Sequence, residues 1–230
     1  MAFRSVALSV TALFGVLALA GCGGLIDKQI EAWVEKNPET IIKSLQSFQR
    51  RQQEENQPKP EMVKEFSKEL FENATSPSVG NGKIKIAYFF DFNCGHCARQ
   101  SEIIEDVLSK TNDVTVIYKN FPILHPTSEL AARGALAANM QGKYKEFYKE
   151  VYKTQNKDAD ALKKIASKLK LDVKKWETDM DGEAVTGELD HVRQLAQKMK
   201  LSGTPMIAIA PDKIFPGRVD QLWEIVQSLK

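Results

Sequence analysis

The chain has 230 residues, and its 32 Lys and Arg nearly balance its 30 Asp and Glu, for a net charge of +2. A near-neutral chain without a basic cluster lacks the electrostatic footprint of a nucleic-acid-binding protein. Neither a P-loop nor a G-x-G-x-x-G segment is present. The length is ample for one domain plus an appendage.

Residues 1–21 are typical of a secretion signal. Arg4 precedes an apolar segment at residues 6–20, which is too short for a comfortable transmembrane helix. The segment ends in Leu19-Ala20-Gly21-Cys22, which resembles the bacterial lipobox, where a peptidase cuts before a lipid-modified cysteine. The alternative, an ordinary A-x-A-type cleavage nearby, leaves an odd free thiol in an exported protein. We therefore predict a lipoprotein signal peptide and lipidation at Cys22.

The lipid anchor predicts where the protein resides. Two or three acyl chains exceed what stable membrane anchoring needs. Gly23 follows the cysteine, in place of the Asp that retains many Gram-negative lipoproteins at the inner membrane. We expect an outer-membrane location facing the periplasm, in an oxidising compartment.

Residues 22–57 are predicted to form a stalk of two helices. Asn37-Pro38 separates them, as an N-cap residue followed by proline at the first helical position. Each helix carries an apolar stripe that so small a segment cannot bury within itself. The stripe could dock on the main domain, on the membrane or on a second copy, and we favour self-association into a homodimer. The stripes comprise Ile26, Ile30 and Trp33, then Ile41, Leu45 and Phe48.

Residues 58–82 are predicted to be a linker and a lead-in helix. Pro58 and Pro60 follow a polar run, which marks a break in composition. The spacing of Met62, Phe66 and Leu70 predicts one helix over residues 61–72. Turn-forming residues occupy 74–82 and end this segment.

The third region, residues 83–230, begins with the most informative feature of the chain. Residues 84–92 form a β-branched and aromatic run, typical of a buried strand. Cys94-Gly95-His96-Cys97 follows at once, and residues 101–109 have helical periodicity. A cysteine at a strand-to-helix junction lies at a helix N-terminus, which favours the thiolate. The thiolate attacks in disulfide exchange, and a second thiol one turn later can resolve the mixed disulfide.

A cysteine pair with this spacing has two other interpretations. A C-x-x-C can be half of a zinc site, but only Cys22, His125 and His191 remain as further Cys or His ligands outside the motif, and they stand apart. A purely structural disulfide would close so small a loop that it constrains the unfolded chain little. We therefore expect redox chemistry and no metal.

The remaining elements complete an α/β pattern. Residues 114–118 predict a strand parallel to the first, and residues 125–200 predict a helical insertion with helix starts near Asp158 and Asp172. We assign its aromatic stripe (Tyr144, Phe147, Tyr148, Val151 and Tyr152) to the core. Strands at 206–210 and 214–215 and a closing helix at 220–229 follow. This is a thioredoxin-like order with a helical insertion, preceded by an N-terminal helical stalk.

Over residues 76–230 the chain resembles the DsbA family of thiol–disulfide oxidoreductases. The matching segments are SP-x-x-GN at 76–81, FFDFNCGHC at 89–97, YKNFPIL at 118–124, the run from 129 to 148, and LSGTPM at 201–206. More weakly, NPETIIKSL at 37–45 resembles the N-terminal segment of lipid-anchored or oligomeric members.

The resemblance implies a role for each matched position. Cys94 is the implied nucleophile and Cys97 the buried resolving thiol. Gly95 and His96 are expected to tune the redox potential of the cysteine pair. The alternative for His96 is that it is simply an exposed polar residue in a turn. Thr204-Pro205 matches a cis-proline, which would bring the Thr204 backbone beside the cysteines, where an extended substrate strand can pair with it.

The sequence departs from the family pattern at the turn Ala210-Pro211-Asp212-Lys213, where many relatives carry Asn-Gly. We expect this to change loop shape and not chemistry. His125 and His191 match no family position, and we expect both to be solvated or paired with a neighbour.

These features predict an envelope thiol–disulfide oxidoreductase that forms or isomerises disulfides in exported proteins without a metal or organic cofactor. Its electron partner would be a membrane protein of the DsbB or DsbD kind. The rival interpretation is a non-catalytic surface lipoprotein, an adhesin or scaffold, on a thioredoxin-like fold. A thiol-based role in metal or peroxide stress would use the same residues.

Overall fold

The computed structural model describes residues 23–230, with side chains over 27–52 and 57–230. The signal peptide predicted at residues 1–21 and the lipidation site predicted at Cys22 lie outside the described residues. The chain divides into two compact units, which meet at the bond between Asn56 and Gln57. None of the described helices is long and apolar enough to cross a membrane.

The first unit consists of helices α1 (Gly23–Lys36) and α2 (Pro38–Asn56). Pro38 is the first residue of α2, a position where its missing N–H costs nothing. The side chain of Asn37 donates to the Trp33 carbonyl at 2.7 Å, so it satisfies the end of α1 as well as separating the helices. Large apolar side chains on both helices are exposed: Ile30, Trp33 and Val34, then Ile41, Ile42, Leu45 and Phe48.

The second unit begins with two short helices, α3 (Pro60–Glu65) and α4 (Ser67–Phe71). The prediction of one continuous helix over 61–72 is therefore wrong. Phe66 leaves the helical conformation, with φ −100° and ψ 23°. Val63 on α3 and Leu70 and Phe71 on α4 are nevertheless buried in one apolar cluster, and the partly buried Phe66 packs against it.

A five-stranded sheet forms the centre of the second unit, in the order β1-β3-β2-β4-β5. Strands β2 and β3 are parallel, as predicted, and the other pairs are antiparallel. An apolar cluster covers each face of the sheet, and successive residues of β2 point to opposite clusters. Tyr88 and Phe90 belong to one cluster and Phe89 belongs to the other, so both faces of β2 are buried. The strands are β1 (Ser78–Val79), β2 (Ile84–Phe90), β3 (Val114–Asn120), β4 (Met206–Ile209) and β5 (Lys213–Pro216).

Helices cover the sheet and fill the predicted insertion between β3 and β4. Asp158 and Asp172 accept N–H hydrogen bonds at the starts of α8 and α9, which confirms both predicted caps. The predicted aromatic stripe on α7 belongs to the core, which is also confirmed. The helices are α5 (Gly95–Lys110), α6 (Pro126–Asn139), α7 (Tyr144–Lys153), α8 (Ala159–Lys168), α9 (Val173–Met180), α10 (Glu183–Lys198) and α11 (Leu222–Gln227).

A buried polar network lies on the face of the sheet remote from the cysteine motif's cluster. The Lys119 ammonium on β3 donates to the Glu69 carbonyl at 2.6 Å and to Ser76 Oγ at 2.8 Å. Ser76 Oγ donates to Glu188 Oε1 at 2.6 Å, and Glu188 also accepts from Asn73. Burial lowers the pKa of Lys119 to about 8, and the nearby Glu188 opposes that shift. The network joins α4, the turn before β1, β3 and α10.

Candidate active site

Cys94 lies between the end of β2 and the start of α5. It is the N-cap residue of α5, and its Sγ accepts a hydrogen bond from the Cys97 N–H at 3.3 Å. The first turn of a 16-residue helix, with its unpaired N–H groups, is an environment that stabilises negative charge on sulfur. The thiol also lies 3.4 Å from the Thr204 carbonyl oxygen.

The helix that carries the motif begins earlier than its apolar spacing indicated. Apolar spacing predicted helix over 101–109, whereas α5 starts at Gly95. Cys94 is its N-cap, which confirms the prediction that the first cysteine lies at a helix N-terminus. The cap is a cysteine sulfur instead of the usual Ser, Thr, Asp or Asn side chain, so the sequence gives no ordinary start signal. Both cysteines therefore belong to the first helical turn.

Cys97 is fully buried, in the apolar cluster that also contains Tyr88 and Phe92. Burial, followed by the hydrogen bond with the Cys94 thiol, raises the pKa of Cys97 to about 12. The Tyr88 hydroxyl donates to the Cys97 carbonyl at 2.9 Å and so fixes the backbone at this position. The Cys97 thiol is thus closed to solvent and hard to ionise, whereas Cys94 keeps 7% of its surface exposed.

Gly95 and His96 occupy the exposed first turn between the two cysteines. A Cβ built on Gly95 meets no atom within 4 Å, so this position does not require glycine for space. No hydrogen bond or ion pair joins His96 to another part of the chain that the structure describes. Both residues are next to the sulfurs, where a substitution changes the local charge without disturbing the core.

The Thr204–Pro205 peptide is cis and precedes β4, which pairs with β2 through Phe89 and Met206. This pairing brings the Thr204 carbonyl to Cys94, as the resemblance implied. The Thr204 hydroxyl is buried without a hydrogen-bond partner. A second cis peptide, Ala210–Pro211, lies in the turn between β4 and β5, where we predicted only a change of loop shape.

Sequence reasoning missed Asp91 and Asn93, which shape the turn before Cys94. Asp91 is buried, and its carboxylate accepts three backbone N–H groups, while its carbonyl accepts the Cys94 N–H at 3.1 Å. The Asn93 amide donates to Thr127 and Ser128 at the start of α6. The available signal was a single acidic residue inside the apolar run 86–92, because a buried carboxylate needs several donors.

The two other described histidines lie apart from the cysteines in sequence and take different roles. His125 is the N-cap of α6, where Nδ1 accepts the Thr127 N–H at 3.2 Å, so it has a neighbouring partner, as expected. His191 Nε2 is buried and has no partner among the described residues. The expectation that His191 is solvated or paired is therefore wrong for that nitrogen.

The fold and the cysteine site define a thioredoxin-like protein of the thiol–disulfide exchange class. A family profile described as the DSBA-like thioredoxin domain matches residues 85–227. The match covers more than half of the chain, so the protein belongs to this family, and the predicted fold class is confirmed. It is a DsbA-like thiol–disulfide oxidoreductase.

Individual relatives agree with this assignment. A probable disulfide bond formation protein D from Bacillus cereus is 27% identical over 163 residues, covering 64% of this chain and 75% of the relative. The crystal structure of a thioredoxin-like oxidoreductase from Silicibacter pomeroyi is 31% identical, with a TM-score of 0.66, covering 70% of this chain and 96% of that one. The thiol-disulfide exchange protein alpha-DsbA2 from Wolbachia pipientis has the same fold, with 22% identity, a TM-score of 0.69 and coverage of 74% and 95%.

Proposed function

We propose that this protein forms or isomerises disulfides in exported proteins of the bacterial envelope through the pair Cys94 and Cys97. One observation carries the proposal: an N-capping sulfur at Cys94 lies beside the Thr204 carbonyl and one helical turn from a fully buried thiol at Cys97. The arrangement provides one sulfur for substrate and one for resolution.

The exchange begins from a disulfide between Cys94 and Cys97. A substrate thiolate attacks Cys94 Sγ, which forms a mixed disulfide and releases Cys97 as a thiolate. Because burial raises the pKa of Cys97, the released sulfur takes up a proton. A second substrate thiolate then attacks the substrate sulfur and releases Cys94, so the substrate loses two electrons and the protein gains them. Starting from the dithiol, Cys94 instead attacks a wrong disulfide and allows it to rearrange.

The surrounding residues receive supporting roles in this scheme. Gly95 and His96 tune the redox poise, because they are exposed beside both sulfurs. Thr204 and Pro205 receive the substrate: an extended chain lies along the Thr204 backbone, next to the sulfur that it attacks. The chemistry needs no metal and no organic cofactor, because the cysteine pair itself stores the two electrons.

The protein is proposed to act from the outer membrane, facing the periplasm. A signal peptide at residues 1–21 and a lipid on Cys22 would supply export and anchoring. Its substrates would be exported proteins with thiols or disulfides, and a membrane protein of the DsbB or DsbD kind would restore its redox state.

The two-helix stalk is proposed to assemble a homodimer. Seven large apolar side chains on α1 and α2 are at least 39% exposed in the single chain, and a second copy of the same surface would cover them. A dimer places two exchange sites in one assembly, an arrangement suited to isomerisation. The proposed activity therefore includes isomerisation as well as dithiol oxidation.

The direct test uses ribonuclease in two forms, one reduced and one with scrambled disulfides, each incubated with the mature protein. Recovery of ribonuclease activity from the scrambled form supports isomerisation. Oxidation of the reduced form alone indicates an oxidase, with the stalk acting as a spacer from the membrane. If the protein shows neither activity, the result favours the rival assignment as a surface adhesin or scaffold.

A further inference from the structure

Asp91 is a buried carboxylate that the exchange mechanism does not use. It is 1% exposed and lies three residues before Cys94, at the end of β2. Oδ1 accepts the Asn93 N–H at 2.7 Å, and Oδ2 accepts the N–H groups of Ile123 and Leu124 at 2.8 and 2.9 Å. A carboxylate at this place is thus fully satisfied by backbone donors, which offsets the cost of burying its charge.

These hydrogen bonds join two loops that are remote in sequence. The first is the turn from Asp91 to Cys94, where the Asp91 carbonyl accepts the Cys94 N–H. The second is the loop after β3, which contains Ile123 and Leu124. The Asn93 side chain adds a second link through Thr127, at 3.0 Å. The position of the second loop relative to Cys94 is therefore set by side chains of the first.

The second loop presents apolar side chains to solvent. Ile123 is 44% exposed and Leu124 is 54% exposed, although both backbone N–H groups are held by a buried carboxylate. An isolated exposed aliphatic residue is ordinary on a protein surface, but here two adjacent ones lie on a loop whose backbone is held to the turn before Cys94. We call Ile123 and Leu124 the apolar pair.

We infer that Asp91 is a positioning residue that ties the loop of the apolar pair to the turn before Cys94, so that an extended apolar segment of the substrate docks on the pair as its thiolate reaches the sulfur. The inference rests on the proposed exchange function and names the surface by which that site selects polypeptide substrates. Continuity through Asp91 is the reason for assigning this surface to the substrate, because the same residue contacts the apolar pair and the Cys94 backbone.

The expected consequence differs between small and large substrates. A small dithiol needs only access to Cys94, whereas a peptide also needs the apolar pair in place. Asp91→Asn replaces one carboxylate oxygen with an NH₂ group, which cannot accept the backbone N–H groups that face it. The loop then loses at least one charge-assisted hydrogen bond, and the docking surface is no longer fixed.

The test measures single-turnover reduction of the oxidised full-length protein by two reagents: dithiothreitol and an extended peptide with two cysteines flanked by leucines. For Asp91→Asn, we expect the half-saturating peptide concentration to rise about tenfold, with the maximum rate changed less than about twofold. The loss with dithiothreitol should be at least about fivefold smaller than the loss with the peptide.

Glu188→Gln is the matched control, because Glu188 is also a buried carboxylate that accepts several hydrogen bonds but lies in the network around Lys119. It should change neither reaction more than about twofold, even if it lowers the free energy of unfolding. If Asp91→Asn does not fold, Asn93→Ala removes the second link from an exposed side chain. It should give a smaller loss, about threefold, again selective for the peptide.

Equal losses on both reagents, or an unchanged reaction with the peptide, would overturn the assignment of Asp91 while leaving exchange at Cys94 intact. A wild-type protein that reacts with neither reagent would overturn the proposed function and this inference together. A peptide-selective loss in Asp91→Asn, absent from Glu188→Gln, would support the positioning role.

Discussion

The two units of this protein treat their apolar side chains in opposite ways. In the second unit, the apolar residues of β2 and β3 are buried on both faces of a sheet. In the first unit, α1 and α2 carry Trp33, Leu45 and Phe48 with at least half of each residue's surface exposed. A segment with its own core can fold and react alone, whereas a two-helix segment with an exposed stripe needs a covering surface. The comparison is the basis for proposing that one unit carries the chemistry and the other the assembly.

The largest effect is expected from Cys94→Ser, which should lower exchange by about a thousandfold or more, because a serine hydroxyl is not an effective nucleophile towards disulfides. The comparison predicts the same loss in the full chain and in a fragment of residues 58–230. Oxidation of reduced ribonuclease by glutathione disulfide, with each protein as the catalyst, measures it. Substantial exchange by the full-length variant would return the protein to the scaffold interpretation.

Deletion of residues 24–57 should convert the assembly into a monomer without unfolding the second unit. Because the sheet and its clusters lie entirely within residues 57–230, dithiol oxidation should persist while isomerisation falls. Light scattering after gel filtration gives the mass, and scrambled ribonuclease gives the isomerase activity. An unchanged oligomer after the deletion would contradict the assignment of assembly to the first unit.

Charges introduced into the apolar stripe test the proposed role of the first unit in self-association. Trp33→Glu combined with Leu45→Glu should weaken self-association by about a hundredfold, since each change would bury an unpaired carboxylate in the interface. Lys43→Glu on the same helix α2 alters charge outside the stripe and serves as the control. Sedimentation equilibrium compares the dissociation constants. Equal effects of the two variants would indicate general charge repulsion.

Within the second unit, the buried Lys119 should make stability depend on pH. Its pKa is about 8 in the folded state against an ordinary 10.5, so the unfolded chain binds more protons between these values. The unfolding free energy therefore rises with pH across this window. Relative to Lys119→Met, the wild type should gain on the order of 2 kcal/mol between about pH 7 and 10.

Urea denaturation of both proteins at several pH values measures that difference, and titrations common to both cancel. The prediction also tests the comparison, because the first unit contains no such buried lysine among its described residues. A difference that does not change with pH would show that Lys119 titrates normally in the folded protein.

The smallest effect is expected from His96→Ala. His96 is exposed and makes no hydrogen bond or ion pair in the described part of the chain, so the free energy of unfolding of the reduced protein should change by less than about 0.5 kcal/mol. The equilibrium constant with glutathione should shift by only a few-fold, because the substitution removes the imidazole beside Cys94. A redox titration measures the shift. A large loss of stability would imply a structural role that the geometry does not indicate.

The periodicity of apolar residues and the positions of turn and capping residues predicted most of the fold. The apolar runs at β2, β3 and β4 predicted the sheet, and Asp158 and Asp172 predicted two helix starts. Features that depend on tertiary contacts were harder to predict from the sequence. The apolar spacing of Met62, Phe66 and Leu70 continues through the break at Phe66, so it contained no sign of that break. The cap at the start of α5 is a cysteine sulfur and not an ordinary capping side chain.

The candidate site shows the same limit. The C-x-x-C spacing and its place after a strand predicted the two cysteines, and the family resemblance added Thr204 and Pro205. Asp91 could not be interpreted alone, because its three N–H partners include two from a loop that is distant in sequence. The burial of Lys119 likewise depends on Ser76 and Glu188, which only the fold brings together.

The central claim, that Cys94 exchanges with substrate and Cys97 resolves, is tested most directly by trapping the mixed disulfide. Each of the variants Cys97→Ser and Cys94→Ser is incubated separately with two reagents. One is oxidised glutathione, and the other is ribonuclease that has been reduced and then partly reoxidised. Intact mass spectrometry measures the adducts. The account predicts stable adducts on Cys97→Ser at Cys94 and almost none on Cys94→Ser, because Cys97 is buried and resists ionisation. Equal adduct formation by the two variants would contradict the division of roles between the two sulfurs.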